Sequence, residues 1–249
     1  MTAETTPSTD PAAATEPAAV AAGEIRQFRF IRPPGATSLL LIRHGDSAPA
    51  RPGAPFALVD GQGDPELTPA GRDQAERVAE RLAGEPITAI YVTTLRRTAE
   101  TAAPLANRLG LVPVVEAGLR EVNLGDWEGG LFRVRIAEGH PIAQRLIAEE
   151  RWDVIPGAED AEEIASRVRD SLVRVAERHP DETVAVFTHG GVIGQALAQA
   201  AASRPFAFSG ADNGSISHLV TTSDRWLVRT FNDVAHLHRG FTPAAEAMT

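Results

Sequence analysis

Two short apolar runs in this chain end in the same pair of residues. Ser38 to Ile42 leads into Arg43-His44-Gly45, and Val184 to Thr188 leads into His189-Gly190-Gly191. Each reads as a buried strand that delivers an imidazole at its carboxyl end, with a glycine where the backbone must turn sharply or approach a ligand closely. Ligands of open α/β sheets sit outside the carboxyl ends of strands, so two such strands would bring two histidines to one site. A single histidine in a loop is more often a satisfied structural group. The repeated design, with Arg43 beside one copy, points to a place where imidazole chemistry is done on an anion.

A third strand end supplies more positive charge. Val92 leads into Thr93-Thr94-Leu95-Arg96-Arg97-Thr98, which opens a helix. Helix N-termini favour anions, and the planar guanidinium fork matches phosphate oxygens. One of Arg96 and Arg97 is expected to pair with Glu100 at the surface, leaving the other for the site. The segment Leu119-Arg120-Glu121-Val122-Asn123 brings in a carboxylate. Glu121 is open to two readings, an ion-pair partner of Arg120 or Arg97, or a proton donor and acceptor at the site.

Composition removes several competing chemistries. The 249 residues, 43% of them hydrophobic, suffice for one α/β domain. A net charge of -9 argues against a nucleic-acid-binding surface. The chain has no cysteine, which excludes disulfides, thiolate metal sites and cysteine nucleophiles. It also has no lysine, all 24 cationic side chains being arginine, so a P-loop lysine and a Schiff base are excluded. His236 and His238 flank Leu237 without carboxylate or cysteine companions at metal-binding spacing, so neither a metal nor another cofactor is expected. No stretch is long and apolar enough to span a bilayer. Residues 1–23, rich in Ala, Thr and Pro, lack a basic stretch before an apolar core and read as a disordered tail on a cytoplasmic protein. Nothing in the sequence sets an oligomeric state.

The elements that must hold these residues follow from periodicity and punctuation. Residues 24–35 read as an extended arm ending in Pro33-Pro34-Gly35, residues 36–240 as the domain, and residues 241–249 as a C-terminal tail. Ala48 to Glu66, rich in Pro, Gly and Asp, reads as a long loop, and such loops tend to be functional. Thr68-Pro69 is a helix start, with Thr68 as N-cap. Strands are expected at 87–92, 111–115 and 183–188. Helices are expected from Thr93 or Thr94 as cap to Leu109, within 131–151 with a break near Gly139-His140-Pro141, from Asp160 onward, and over 192–202. Residues 215–222 and 225–231 read as a hairpin. The alternation predicts a three-layer α/β/α fold whose mostly parallel sheet carries an antiparallel edge strand.

Taken together and in order, LIRHGDS, LTPAGRDQA, TTLRRTAETA, LREVNLGDWEG, PGAED and FTHGG resemble the histidine phosphatase superfamily, in its phosphoglycerate mutase-like branch, from about Ser38 to Phe231. The resemblance implies that His44 is the nucleophile that becomes phosphohistidine, that Arg43 and Arg97 bind the phosphate, and that His189 contacts the transferring phosphoryl group. It also implies that Gly190 adds a backbone N–H and that Glu121 donates the proton. Many relatives have an Asn a few residues after Arg-His-Gly; this chain has none there, and Ser47 or Gln62 is expected to take its place. Mutases carry basic and aromatic residues after the glutamate and a pair of arginines further on. Here Val122, Asn123 and Leu124 follow Glu121, with Arg133 and Arg135 as possible substitutes for the pair. The expected activity is therefore metal-independent hydrolysis of a small phosphate monoester. A mutase-type phosphotransferase and a noncatalytic phospho-ligand-binding module are the alternatives. Residues 131–156, with Phe132, Arg133, Arg135, Trp152 and Asp153, are expected to shape the pocket.

Overall fold

In the computed structural model, residues 27–223, 225–238 and 240 are described. The expected tails, 1–23 and 241–249, and the start of the expected arm lie outside them. Residues 27–31, in a separate unit from the rest, have no regular secondary structure, and Phe28 is fully exposed. The fold is carried by the unit that begins at Arg32.

Among the described residues, that unit has eight strands, six α-helices and three short 3-10 helices. The chain runs β1 (Thr37–Arg43), β2 (Leu58–Val59), β3 (Gln62–Gly63), α1 (Pro69–Leu82), β4 (Ile87–Val92), α2 (Arg96–Leu109) and β5 (Val114–Val115). It continues α3 (Leu131–Ala137), α4 (Pro141–Glu149), α5 (Ala161–Glu177), β6 (Thr183–Thr188), α6 (Gly190–Ala201), β7 (Ile216–Thr221) and β8 (Trp226–Asp233). The main sheet has the order β5-β4-β6-β1-β7-β8. Strands β5, β4, β6 and β1 are mutually parallel, and the β7–β8 hairpin is added antiparallel beyond β1.

Side chains alternate across a strand, and β1 is apolar on both faces. Leu39 and Leu41 pack with Val168, Leu172, Ile193 and Leu197 of α5 and α6. Leu40 and Ile42 pack on the other face with Val78 and Leu82 of α1 and Leu105 of α2. These two cores are the predicted three layers. A third cluster, built on Trp127, Ala143, Leu146 and Ile155, stands over the carboxyl edge of the sheet and contains α3 and α4.

Local signals set most boundaries. Thr68 caps α1, accepting from the Gly71 N–H at 3.0 Å. Asp160 forms a full capping box on α5 with Glu163. Gly110 ends α2 in the left-handed conformation. His140 caps α4 after the expected break. Four expectations need correction. The cap of α2 is Leu95, without a side-chain hydrogen bond, because the hydroxyls of Thr93 and Thr98 bond to each other and to the backbone at 93–95 instead. Strand β5 spans only Val114–Val115, both exposed at the sheet edge, so burial selects no longer strand. Helix α6 begins two residues before its expected start, at Gly190. The 48–66 segment contains the β2–β3 hairpin, turned through Asp60 and Gly61 at positive φ.

Gly45 lies backbone to backbone against Gly71. A Cβ there would lie 2.5 Å from the Gly71 carbonyl oxygen, and one on Gly71 would lie 2.0 Å from the Asp46 carbonyl oxygen. The start of α1 is thus pressed backbone to backbone on the segment that leaves β1. Gly71→Ala is expected to lower stability by about 1–3 kcal/mol in urea unfolding. Gly84→Ala, where a Cβ meets nothing within 4 Å, should stay within about 0.5 kcal/mol of the parent protein. Equal midpoints for the two variants would contradict this packing.

Candidate active site

The register of two neighbouring strands creates the site. β1 and β6 pair in parallel with Arg43 opposite Thr188, and the His44 N–H continues the ladder to the Thr188 carbonyl at 3.0 Å. His44 and His189, the next residues of the two strands, therefore emerge together, ring centroids 5.2 Å apart in an edge-on arrangement. Both are buried.

Each imidazole is fixed by a hydrogen bond. His44 Nδ1 lies 2.8 Å from the Gly45 carbonyl oxygen. A carbonyl only accepts, so Nδ1 carries the proton and, in the neutral ring, Nε2 keeps its lone pair. His189 Nε2 meets the Thr93 hydroxyl at 3.0 Å. Burial holds His44 well below the usual imidazole range, and the neighbouring Arg97 and Arg43 push it down further. His189 is lowered well below that range by burial first, then by Arg97.

Two arginines flank the pair. Arg97, in the first turn of α2, donates to the Gly63 carbonyl at 3.0 Å and has Asp64 at 3.9 Å. Burial lowers its pKa to about 10, with Glu121 and Asp64 opposing the shift; it is still a cation at neutral pH. Arg43 donates from Nη1 to the Ala211 carbonyl at 2.5 Å, and burial lowers its pKa as well. Two buried nitrogens here, Arg43 Nε and His189 Nδ1, have no hydrogen-bond partner among the described residues. Arg96 is the surface member of its pair, bonded to Glu100 at 2.8 Å.

Glu121 makes neither of the ion pairs weighed for it. Arg120 pairs with Asp60, and the Glu121 carboxylate instead accepts from the backbone N–H groups of Val122 and Gly191, each at 3.1 Å. Gly191 is required for this, since a Cβ there would lie 2.6 Å from Glu121 Oε1. The backbone of Glu121 is held from two sides. Gln62 Nε2 donates to its carbonyl at 2.7 Å, and so does Arg167 Nη2 at 3.2 Å. Arg167 also donates to the carbonyls of Gly118 and Arg120 and is paired with Glu159.

Arg43, His44, Gln62, Arg97, Glu121, Glu128, Phe132, Arg133 and Trp152 line one cavity of about 180 Å³. His189, Ser47 and Gly190 do not line it; His189 stands fully buried behind His44. The Ser47 hydroxyl accepts from Arg133 Nη2 at 2.8 Å, and Gly190 packs on Arg43, a Cβ there lying 3.5 Å from Nε. Arg133 enters the cavity while Arg135 pairs with Glu138 outside. Sequence reasoning assigned no role to Arg167, which lies in none of the motifs quoted above, nor to Glu159 and Glu128, which lie in PGAED and LREVNLGDWEG and act on the site through Arg167 and backbone N–H groups, nor to Phe56, which also lines the cavity. Among the described residues no three His, Cys, Asp or Glu side chains are grouped to hold a metal ion, and no helix is long and apolar enough to cross a membrane.

Residues 39–234 match the Histidine phosphatase superfamily (branch 1), and the chain belongs to that family. Phosphoglycerate mutase-like protein 4 of Arabidopsis thaliana is 32% identical over 80% of this chain and 86% of its own length. A metal-independent phosphoserine phosphatase of the same plant is 31% identical over 81% and 83%. The native structure of a mycobacterial glucosyl-3-phosphoglycerate phosphatase superposes with a TM-score of 0.66 at 31% identity, covering 79% of this chain and 99% of that one.

The two imidazoles should resist protonation. In an NMR titration His44 and His189 are expected to stay neutral well below pH 6.5, the ordinary imidazole value. The unfolded chain then binds more protons than the folded one, so stability should fall as pH drops below about 6.5. Titration of either ring near 6.5 would contradict the site electrostatics.

Proposed function

We propose that the protein is a phosphatase that hydrolyses small phosphate monoesters through a phosphohistidine at His44, without a metal ion. One observation carries the reading: His44 is neutral, with Nε2 free, in a cavity that it shares with Arg43, Arg97 and Glu121. A phosphate monoester is dianionic and repels nucleophiles. Arg43 and Arg97 neutralise that charge and hold phosphorus in line with the ring. The unpartnered Arg43 Nε and His189 Nδ1 are suited to phosphoryl oxygens.

His44 Nε2 attacks phosphorus, the bond from phosphorus to the ester oxygen breaks, and the leaving oxygen takes a proton from the Glu121 carboxyl group. Water then attacks the phosphohistidine and gives a proton to the Glu121 carboxylate. Inorganic phosphate leaves, and His44 returns to its neutral form. Ser47 and Gln62 act indirectly in this scheme, Ser47 by holding Arg133 and Gln62 by holding the Glu121 backbone. The phosphoserine phosphatase and glucosyl-3-phosphoglycerate phosphatase among the relatives support hydrolysis over phosphoryl transfer between substrate positions.

Phosphate release from a panel of monoesters tests the scheme. His44→Ala should abolish turnover, Glu121→Gln should lower kcat by about 10²–10⁴-fold, and EDTA should leave the parent rate unchanged. Turnover by His44→Ala, or its loss on chelation, would overturn the scheme.

A further inference from the structure

The segment between α6 and β7 takes no part in the proposed phosphoryl chemistry, yet it holds both Arg43 and His44. Arg43 Nη1 donates to the Ala211 carbonyl at 2.5 Å, and Asn213 Nδ2 donates to the His44 carbonyl at 3.0 Å. The Arg43 N–H donates to the Ser215 carbonyl, and the Gly214 N–H to the Arg43 carbonyl, each at 3.1 Å. Burial disfavours the Arg43 charge, and the carboxylates that oppose burial are Glu121, then Asp212, then Asp46. Residues 211–215 thus set one phosphate-site guanidinium and the backbone beneath the candidate nucleophile together.

This segment is held in turn from β8. The β7–β8 ladder pairs Ile216 with Asp233 and His218 with Thr230, so Ser217 alone faces two residues, Phe231 and Asn232. That is a β-bulge, a device that re-aims side chains. Asn232 stands at φ 56°, a left-handed conformation uncommon outside glycine and milder for asparagine than for most residues. Its N–H donates to the buried Ser217 hydroxyl at 3.2 Å. The carboxamide is thereby turned onto residue 212, where Oδ1 accepts from the Asp212 N–H at 2.7 Å and Nδ2 donates to Asp212 Oδ2 at 2.9 Å. Among side chains of this length only a carboxamide supplies both roles. Next to it, Phe231 packs edge-on against Phe208 with centroids 5.4 Å apart, and a Cβ on Gly194 of α6 would lie 3.0 Å from the Phe208 carbonyl oxygen. The segment is fixed at Phe208 by packing and at Asp212 by Asn232.

We infer that Asn232 is a positioning residue, which forms with Asp212 a clasp that holds the Ala211 carbonyl on Arg43 and so sets the guanidinium for a phosphoryl group before a substrate arrives. A strained backbone persists where its surroundings over-determine it, and the three hydrogen bonds of Asn232 do so. Neither Asn232 nor Asp212 lines the cavity. The two bonds of the clasp are exposed to solvent, so their loss costs little stability. It shows instead in how well the site holds an anion, because the ordering of Arg43 is then deferred to the binding step. The inference rests on the phosphatase reading, which puts Arg43 on the phosphate, and goes beyond it by giving a role to a side chain that touches no reacting atom.

Calorimetric binding of inorganic phosphate to the full chain tests the clasp without turnover. Asn232→Gly keeps the left-handed backbone and removes both side-chain bonds. It should weaken phosphate binding about 3–10-fold, the range of one lost hydrogen bond, with a urea midpoint close to that of the parent protein. Asn232→Asp sets a carboxylate against Asp212 and should weaken binding at least as much. Combining Asn232→Asp with Asp212→Asn rebuilds the pair with the donor on the other side, leaves the net charge unchanged, and should restore most of the affinity. Parent-like affinity in Asn232→Gly overturns the inference, and so does weakened binding that the exchange leaves unrestored. In a crystal structure of Asn232→Gly, Arg43 Nη1 should have left the Ala211 carbonyl, and an unmoved hydrogen bond rejects the clasp. If the parent protein binds no phosphate and hydrolyses no monoester, the phosphatase reading fails by itself, and the position of Arg43 in that crystal structure still decides the role of Asn232.

Discussion

Two buried imidazoles and two largely buried guanidiniums can stand side by side only if the imidazoles are neutral and an anion balances the arginines. Each buried positive charge makes the next more costly, and the site meets that constraint twice. The histidines give up their protonated forms, and Arg43 and Arg97 give up part of their basicity while remaining cations. The outcome is an unprotonated imidazole beside concentrated positive charge, a combination that free imidazole in water near an arginine does not maintain.

The fold supplies this arrangement by strand register and close backbone contacts. Parallel pairing of β1 and β6 sets His44 beside His189. The Gly45–Gly71 contact seats α1 against the exit of β1, and Gly191 lets the Glu121 carboxylate reach the first turn of α6. The 48–66 segment, which lies far from Glu121 in sequence, is tied to the same floor through Gln62 and through Gly63, which accepts from Arg97 and donates to Glu128. A loop bonded in this way behaves as a wall of the site, consistent with its length and its polar composition.

Legibility in the sequence tracked how local each interaction is. The apolar runs of β1, β4 and β6, the Thr68 and Asp160 caps and the Gly110 stop depend on neighbours within a turn, and they appear where expected. Glu100 was legible as a surface partner for one of Arg96 and Arg97, while the choice of Arg97 for the site came only from what the family resemblance implies; the structure pairs Arg96 with Glu100. The partners of Glu121 were not legible, since they are backbone amides, one of its neighbour Val122 and one of Gly191 in α6, 70 residues away in sequence. The same holds for Arg167, whose guanidinium binds carbonyls and carries no motif, and for Ser47, whose hydroxyl accepts from Arg133, 86 residues away in sequence. The strand expected at 111–115 shrank because Val112, Val114 and Val115 are exposed at an edge where apolar composition alone does not decide pairing.

In the proposed reaction His44 carries the phosphoryl group covalently. Mixing the protein with a ³²P-labelled monoester, quenching in alkali within milliseconds and mapping the labelled peptide tests it most directly. The account predicts an acid-labile label confined to the peptide containing His44 and absent from His44→Ala. An acid-stable label on a hydroxyl or carboxyl side chain, a label on His189, or steady turnover with no labelled protein would contradict it.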